Sequence, residues 1–224
     1  LLFKYLKLPI KLKKTNEYDL IKIKGKNKIK SINYKIPSDI SSSAFFIVLT
    51  ILSEKSKLRI KDVNINPTRT GVLKIFKLMG IQIKIENEKE YKGEKIGDIY
   101  VQSQRKINPI NCPIKFNSQA IDEFLLVFLV AAKANGISYF KNLSELNQKE
   151  SPRLLWGTEI LRQMGIKTSV KNNCIKIYGN PELKINKRKI IKNFLKDHRV
   201  FMASVVAALS YGGKWQISDK SSIK

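Results

Sequence analysis

"NINPTRTGVLKIFKLMGIQIKIENEK" (residues 64–89) and "NQKESPRLLWGTEILRQMGIKTSVKNN" (residues 147–173) are two copies of one unit. Each runs from polar residues and an arginine (Arg69, Arg153) through an apolar stripe at helical spacing to Met-Gly, then an alternating strand and an Asn-rich turn. The stripe is Val72, Leu73, Ile75, Phe76 and Met79 in the first copy and Leu154, Leu155, Ile160, Leu161 and Met164 in the second. Gly80 and Gly165 stand where a helix terminator is expected. A weaker copy opens the chain, where "LLFKYLKLPIKLKK" and "YDLIKIKGK" repeat the order helix, strand, turn, strand without the Met-Gly stop.

A second set of segments interleaves with the first. In "PSDISSSAFFIVLTIL" (37–52), "NSQAIDEFLLVFLVAAKANG" (117–136) and "KDHRVFMASVVAALSYGG" (196–213), a polar cluster introduces a very apolar helix. Strand-like "KLRIKDV", "GISYFKNL" and "KWQISD" follow them. Asp39 and Asp122 are 83 positions apart, and Arg69 and Arg153 are 84 apart, so the two sets share one period. A helix apolar nearly all round is a buried helix, whereas the Met-Gly helices are amphipathic and belong outside or against a sheet. The pattern is an α/β repeat with about two and a half copies.

Composition bounds the class. A chain of 224 residues with 43% hydrophobic content can bury a core in one or two domains. Its longest apolar run, Phe124 to Ala132, is nine residues, against the roughly 18 that a membrane span needs, so no membrane is expected as a partner. The opening stretch has neither an initiator methionine nor a small-residue cleavage site. It reads as the interior of a longer protein, and the expected location is cytoplasmic. Cys112 and Cys174 lack metal-site spacing, so neither a metal nor a disulfide framework is indicated. The formal net charge of +25 points first to nucleic acid. Yet only seven of the 43 basic residues are Arg, and the lysines run from end to end beside abundant Ile and Asn. That is the pattern of solvated surface, so no nucleic acid is expected; the positive field suits capture of small anions.

The helix starts carry the chemistry. Unpaired backbone N–H groups and the macrodipole make such positions receptive to phosphate or carboxylate. Ser41, Ser42 and Ser43 are expected to cap the first apolar helix, and Asp197 the last, leaving His198 and Arg199 in its first turn. Asp122 lies inside or just before a buried helix, where an unpaired carboxylate would be costly, so it meets a cation or sits in a site. In "QKESPRL", Lys149, Glu150 and Arg153 fall within five residues, with Ser151 as the expected cap and Pro152 at the first helical position. Helix starts related by a repeat tend to share one side of a structure. Gathered there, carboxylates supply proton transfer while Arg and Lys hold anions, an inventory for acid/base chemistry on phosphorylated or carboxylated small molecules.

In the order "PSDISSSAFF", "NINPTRTG", "IDEFLLVFLVAA", "QKESPR", "LRQMGI" and "KDHRVFM", the chain resembles the 5-enolpyruvylshikimate-3-phosphate (EPSP) synthase family over essentially its whole length. The resemblance implies an α/β (α+β) fold, the inside-out α/β barrel or alpha-beta prism of the enolpyruvyl transferases. Such a fold has two domains of repeated βαβαββ units, with helices inside and sheets outside. Residues 1–85 would complete the first domain and 86–224 form most of the second, with the family's opening third and a short tail lying outside the chain. The implied reaction moves the enolpyruvyl group of phosphoenolpyruvate to the 5-hydroxyl of shikimate 3-phosphate and releases phosphate, with no cofactor. By the same resemblance Asp122 binds the shikimate hydroxyl and acts as a base, and Glu150 is the acid/base group near the methylene carbon. Lys149 and Ser42 serve the shikimate 3-phosphate side, while Arg153, Arg199, His198 and Lys224 serve phosphoenolpyruvate. Pro152, Ser38 and Lys196 depart from the family pattern, which has Asp, Gly, and Gly or Asn there. The full-length protein is expected to be a monomer, and the fragment alone inactive. The sister enzyme acting on UDP-N-acetylglucosamine shares the fold but typically lacks the KES-x-R and DHR motifs. A basic nucleic-acid-binding module would leave the acidic helix starts unexplained.

Overall fold

The computed structural model describes residues 2–16, 18–218 and 221. The chain opens with a short helix, α1 (Leu2–Tyr5), and an antiparallel ribbon of β1 (Ile10–Lys14) and β2 (Asp19–Ile23). This is the order read for the weakest copy. The ribbon is almost wholly exposed, and residues 24–37 after it belong to no helix or strand.

Two full copies follow. The first comprises α2 (Ile40–Leu52), β3 (Lys57–Asn64), α3 (Gly71–Leu78), β4 (Ile83–Tyr91) and β5 (Glu94–Gln102). The second comprises α4 (Phe124–Ala132), β6 (Ile137–Phe140), α5 (Arg153–Gln163), β7 (Thr168–Lys171) and β8 (Cys174–Tyr178). A third begins with β9 (Arg188–Ile191), α6 (His198–Tyr211) and β10 (Lys214–Ile217). The two three-stranded sheets are antiparallel with matching order, β3-β5-β4 and β6-β8-β7. Each apolar helix is also a crossover between parallel partners: Ser38 bridges Val63 across α2, Asn111 bridges Tyr139 across α4, and β9 pairs with β10 across α6. The sequence repeat is thus a β-α-β-α-β-β unit, as its two periodicities require.

The apolar helices sit at the centre. All nine residues of α4 are buried, and α2, α4 and α6 pack on one another. The amphipathic helices lie further out, α3 against α4 and α5 against α4 and α6. Both Met-Gly stops close in the same way. Gly80 (φ +81°) and Gly165 (φ +84°) take the left-handed turn, and Ile81 and Ile166 donate back to Phe76 O (3.0 Å) and Leu161 O (2.9 Å). Gly80 N and Gly165 N donate to Lys77 O and Arg162 O, completing a Schellman motif in each copy.

Three expectations change. The serines do not cap α2: Asp39 does, accepting from Ser42 N at 2.7 Å, while the Ser43 hydroxyl turns back to Asp39 O at 2.7 Å. A carboxylate at the cap position reaches the free N–H groups first and leaves the serines in the opening turn. The Asn-rich turn holds only in the second copy, where Asn172 and Asn173 (φ +49° and +56°) join β7 to β8. In the first copy Asn87 (φ +52°) forms a bulge inside β4, held by its amide donating to Asp98 Oδ2 at 2.8 Å, and the turn is made by Lys92 and Gly93 (φ +49° and +85°). Finally, the division expected after Ile85 falls inside β4, which is paired to β5. One apolar cluster runs unbroken from Ile40 to Tyr211, so packing does not change at 85/86. It changes at residues 24–37, between the exposed ribbon and α2.

Gly179, just after β8, tests this packing. A Cβ there would lie 2.2 Å from Ala134 O and 2.7 Å from Ala131 O, at the end of α4. Gly179→Ala is expected to lower stability by about 1–3 kcal/mol in urea unfolding. Gly25→Ala, with nothing within 4 Å of the new atom, is expected to change it by less than about 0.5 kcal/mol.

Candidate active site

The starts of α4, α5 and α6 converge on one guanidinium. Arg153, the first residue of α5, is 1% exposed. Its Nε donates to Asp197 Oδ2 at 2.9 Å, its Nη1 to Asp122 Oδ1 at 3.1 Å, and its Nη2 to Glu150 and, at 3.4 Å, to Asp197 Oδ1. Asp197 meanwhile caps α6, accepting from Arg199 N at 2.9 Å. Arg199 turns its side chain to Asp122, with Nη1 3.2 Å from the backbone oxygen and Nη2 3.8 Å from Oδ2. Lys149 Nζ approaches Asp122 Oδ1 at 3.5 Å. Five of the predicted residues, Asp122, Lys149, Glu150, Arg153 and Arg199, therefore form one network with Asp197.

The network runs from dry to wet. Side-chain exposure is 0% for Asp197, 2% for Arg153, 15% for Arg199, 25% for Lys149, 29% for Asp122 and 54% for Glu150. Burial alone would raise the Asp197 carboxyl, but the Arg153 and Ser151 hydrogen bonds, the Arg153 charge and the Arg199 backbone N–H outweigh it and hold it below the ordinary range. Burial likewise pushes Asp122 up, and the charges of Arg199, Lys149 and Arg153 bring it down further. Both carboxylates are thus anions near neutral pH, and Asp122, the more open of the two, can face a ligand. Three carboxylates balance three cations, and the wet end presents Lys149, Asp122 and Glu150 side by side.

Other predicted residues stand apart. His198 is the first residue of α6 and half-buried; among the described residues its ring makes no hydrogen bond or ion pair. Ser42 is exposed at the start of α2, its hydroxyl donating to Asp39 Oδ2 at 3.0 Å. Lys224 lies outside the described residues. Ser151 is not a cap: Pro152 holds the cap position of α5, Leu154 N donates to Asn147 Oδ1 at 3.2 Å, and the Ser151 hydroxyl donates instead to Asp197 Oδ2 at 2.8 Å. A buried carboxylate is the stronger acceptor, and the hydroxyl follows it. Among the three departures, Lys196 takes φ +57°, the left-handed region that Gly or Asn adopts with least strain, and Leu195 before it takes φ +56°. Ser38 has an ordinary backbone, and its hydroxyl donates to Lys61 O at 3.2 Å.

Sequence reading understated Asp197 and passed over the pair Asp39 and Arg69. Arg69 lies 3.6 Å from Asp39 Oδ1 and donates to Ser41 Oγ at 3.0 Å. The shared period of the aspartates and arginines was the available signal, for it pairs Asp39 with Arg69 as it pairs Asp122 with Arg153.

A family model described as EPSP synthase (3-phosphoshikimate 1-carboxyvinyltransferase) matches residues 3–224. A 3-phosphoshikimate 1-carboxyvinyltransferase of Ruthia magnifica subsp. Calyptogena magnifica is 36% identical over 200 residues, 89% of this chain and 45% of the relative. One from Hydrogenovibrio crunogenus is 35% identical over 217 residues, 96% of this chain and 48% of the relative. The chain thus spans about half the length of these curated relatives. An EPSP synthase structure from Acinetobacter baumannii superposes with a TM-score of 0.87 at 32% identity, covering 99% of this chain and 50% of that one. The enolpyruvyl transferase NikO from Streptomyces tendae shares the fold, with a TM-score of 0.67 at 15% identity over 96% of this chain and 47% of its own.

Arg153→Met is expected to destabilise the chain by about 3–5 kcal/mol, because it strands Asp197 as a buried unpaired charge. Combining it with Asp197→Leu is expected to recover part of that loss in the same urea titration. The acid limb supplies a second check. Carboxyls whose folded pKa is depressed contribute stability that is present above their unfolded value, about 4, and lost as pH falls through the lower folded value. The wild-type chain should lose stability on acidification below pH 4 more steeply than Arg153→Met does.

Proposed function

The chain belongs to the EPSP synthase family, and from that membership we propose that it forms part of an enzyme transferring the enolpyruvyl group of phosphoenolpyruvate to the 5-hydroxyl of shikimate 3-phosphate. The supporting observation is the network around Arg153, which gathers one exposed and one half-buried carboxylate and two reachable cations at the starts of three helices. Asp122 takes the role of base on the shikimate hydroxyl. Lys149, 3.5 Å from it, and Ser42 serve the shikimate 3-phosphate side. Glu150, the most exposed member, moves the proton at the methylene carbon of phosphoenolpyruvate. Protonating that carbon while the hydroxyl oxygen bonds to the neighbouring one gives a tetrahedral intermediate. Returning the proton to Glu150 as the phosphate C–O bond breaks restores the double bond. Arg199, with His198 and Lys224, holds phosphoenolpyruvate. Arg153 joins them by exchanging Glu150, its one exposed partner, for the substrate carboxylate.

The span of about half the relatives' length fits one wall of a cleft. Residues 40–218, which share one core, make up the unit that carries this wall, and the ribbon before residue 24 belongs to the neighbouring unit. The reading includes action as a monomer at full length and in the cytoplasm, on small-molecule substrates. No helix among the described residues is long and apolar enough to cross a membrane.

Phosphoenolpyruvate is expected to raise the thermal midpoint of the 224-residue chain, and Arg199→Ala to abolish the shift. Phosphate release from both substrates is expected from a protein of the relatives' full length and not from this chain alone. In the longer protein Asp122→Asn and Glu150→Gln should each lower kcat by at least about 10²-fold. Unchanged turnover in both variants would remove the assignment.

A further inference from the structure

The second apolar helix begins differently from the first. After Asp39 comes Ile40, 2% exposed; after Asp122 comes Glu123, 3% exposed. A carboxyl thus occupies a position that its counterpart fills with an aliphatic side chain. Its Oε1 is buried without a hydrogen-bond partner, the kind of placement that costs stability and that a neutral residue would avoid. The mechanism proposed above does not use it.

Its surroundings connect the two repeats. The Ser41 hydroxyl, at the start of α2, faces the carboxyl and also accepts from Arg69 Nη2 at 3.0 Å. The charged groups acting on Glu123 are Arg199 on α6, Arg69 ahead of α3, and Asp122 beside it in the chain. Arg69 and Arg199, each beside an aspartate (Asp39 at 3.6 Å, Asp122 at 3.8 Å), thus both act on Glu123.

We propose that Glu123 is a positioning residue that sets how strongly the cleft holds anions: neutral, it leaves Arg69 and Arg199 to the ligand, and ionised, it competes for both. Entry of a phosphorylated or carboxylated ligand is then coupled to uptake of one proton from solvent by the Glu123 carboxylate. Burial holds this carboxyl above its ordinary range, against the nearby Ser41 hydroxyl and the two arginines, which favour the anion. The inference rests on reading the cleft as an anion site, and the test separates the two claims.

Binding of phosphoenolpyruvate to the 224-residue chain is measured by calorimetry in buffers of different ionisation heat, across pH, for wild type and Glu123→Gln. At pH above the folded pKa of Glu123, wild type should take up close to one proton more per bound ligand than the variant, and below it the two should match. Above the folded pKa its affinity should fall about tenfold per pH unit relative to the variant. The ligand's own protonation is common to both proteins and drops out. Equal proton uptake and parallel pH profiles would overturn the role of Glu123 and leave the anion site standing, whereas absence of binding by either protein would remove the anion site and with it this inference. Unfolding without ligand checks the proton directly. A raised carboxyl contributes stability that is lost as pH rises through its folded value, so wild type should show that fall and Glu123→Gln should not. If the amide does not fold, Glu123→Leu, which supplies the aliphatic bulk of Ile40, makes the same comparison.

Discussion

A guanidinium that has lost nearly all contact with water must find carboxylates on its open sides, and meeting that demand for Arg153 governs how three helix starts are arranged. Its partners come from 31 residues earlier and 44 residues later in the chain. No local structure could bring them together. The apolar helices do so by packing on one another, which brings the turn before α4 and the caps of α5 and α6 to one place. Hydrophobic burial supplies the driving force, and the ion pairs choose among the packings that burial allows.

The same Asp/Arg pairing occurs twice with opposite fates. Asp39 and Arg69 keep side-chain exposures of 48% and 52%, whereas Asp122 and Arg153 stand at 29% and 2%. The first is a surface pair, worth at most about 1 kcal/mol. In its counterpart the guanidinium is dry, and α6 brings it a further carboxylate, Asp197. One unit, repeated with small changes, has thus yielded an exposed pair in one copy and a pair anchored on a buried guanidinium in the other.

Sequence alone carried the repeat far. The Met-Gly stops, the apolar helices and the strands after them all lie where periodicity placed them, because each is fixed by local preference and by which face is apolar. The failures share a cause. Ser42, Ser151 and Asn87 have side chains able to bond in several directions, and each is taken by a carboxylate: Asp39 for the first, Asp197 and Asp98 for the others. No break in pairing marks the junction expected at 85/86, because a strand's membership is decided by its partner, here β5. At the site, the clustered charges of "QKESPR" and "KDHR" were legible as chemistry. That Asp197 would be its driest member was not, since burial depends on what packs over a residue.

The grading of that network from dry to wet has a consequence for how such a centre can change over time. Its innermost members are bound to the fold, and altering them risks losing the protein altogether. Glu150 and Lys149, at the outer rim, can be exchanged with little threat to folding. Variation is thereby channelled toward the groups that open to solvent, while the buried scaffold holds still.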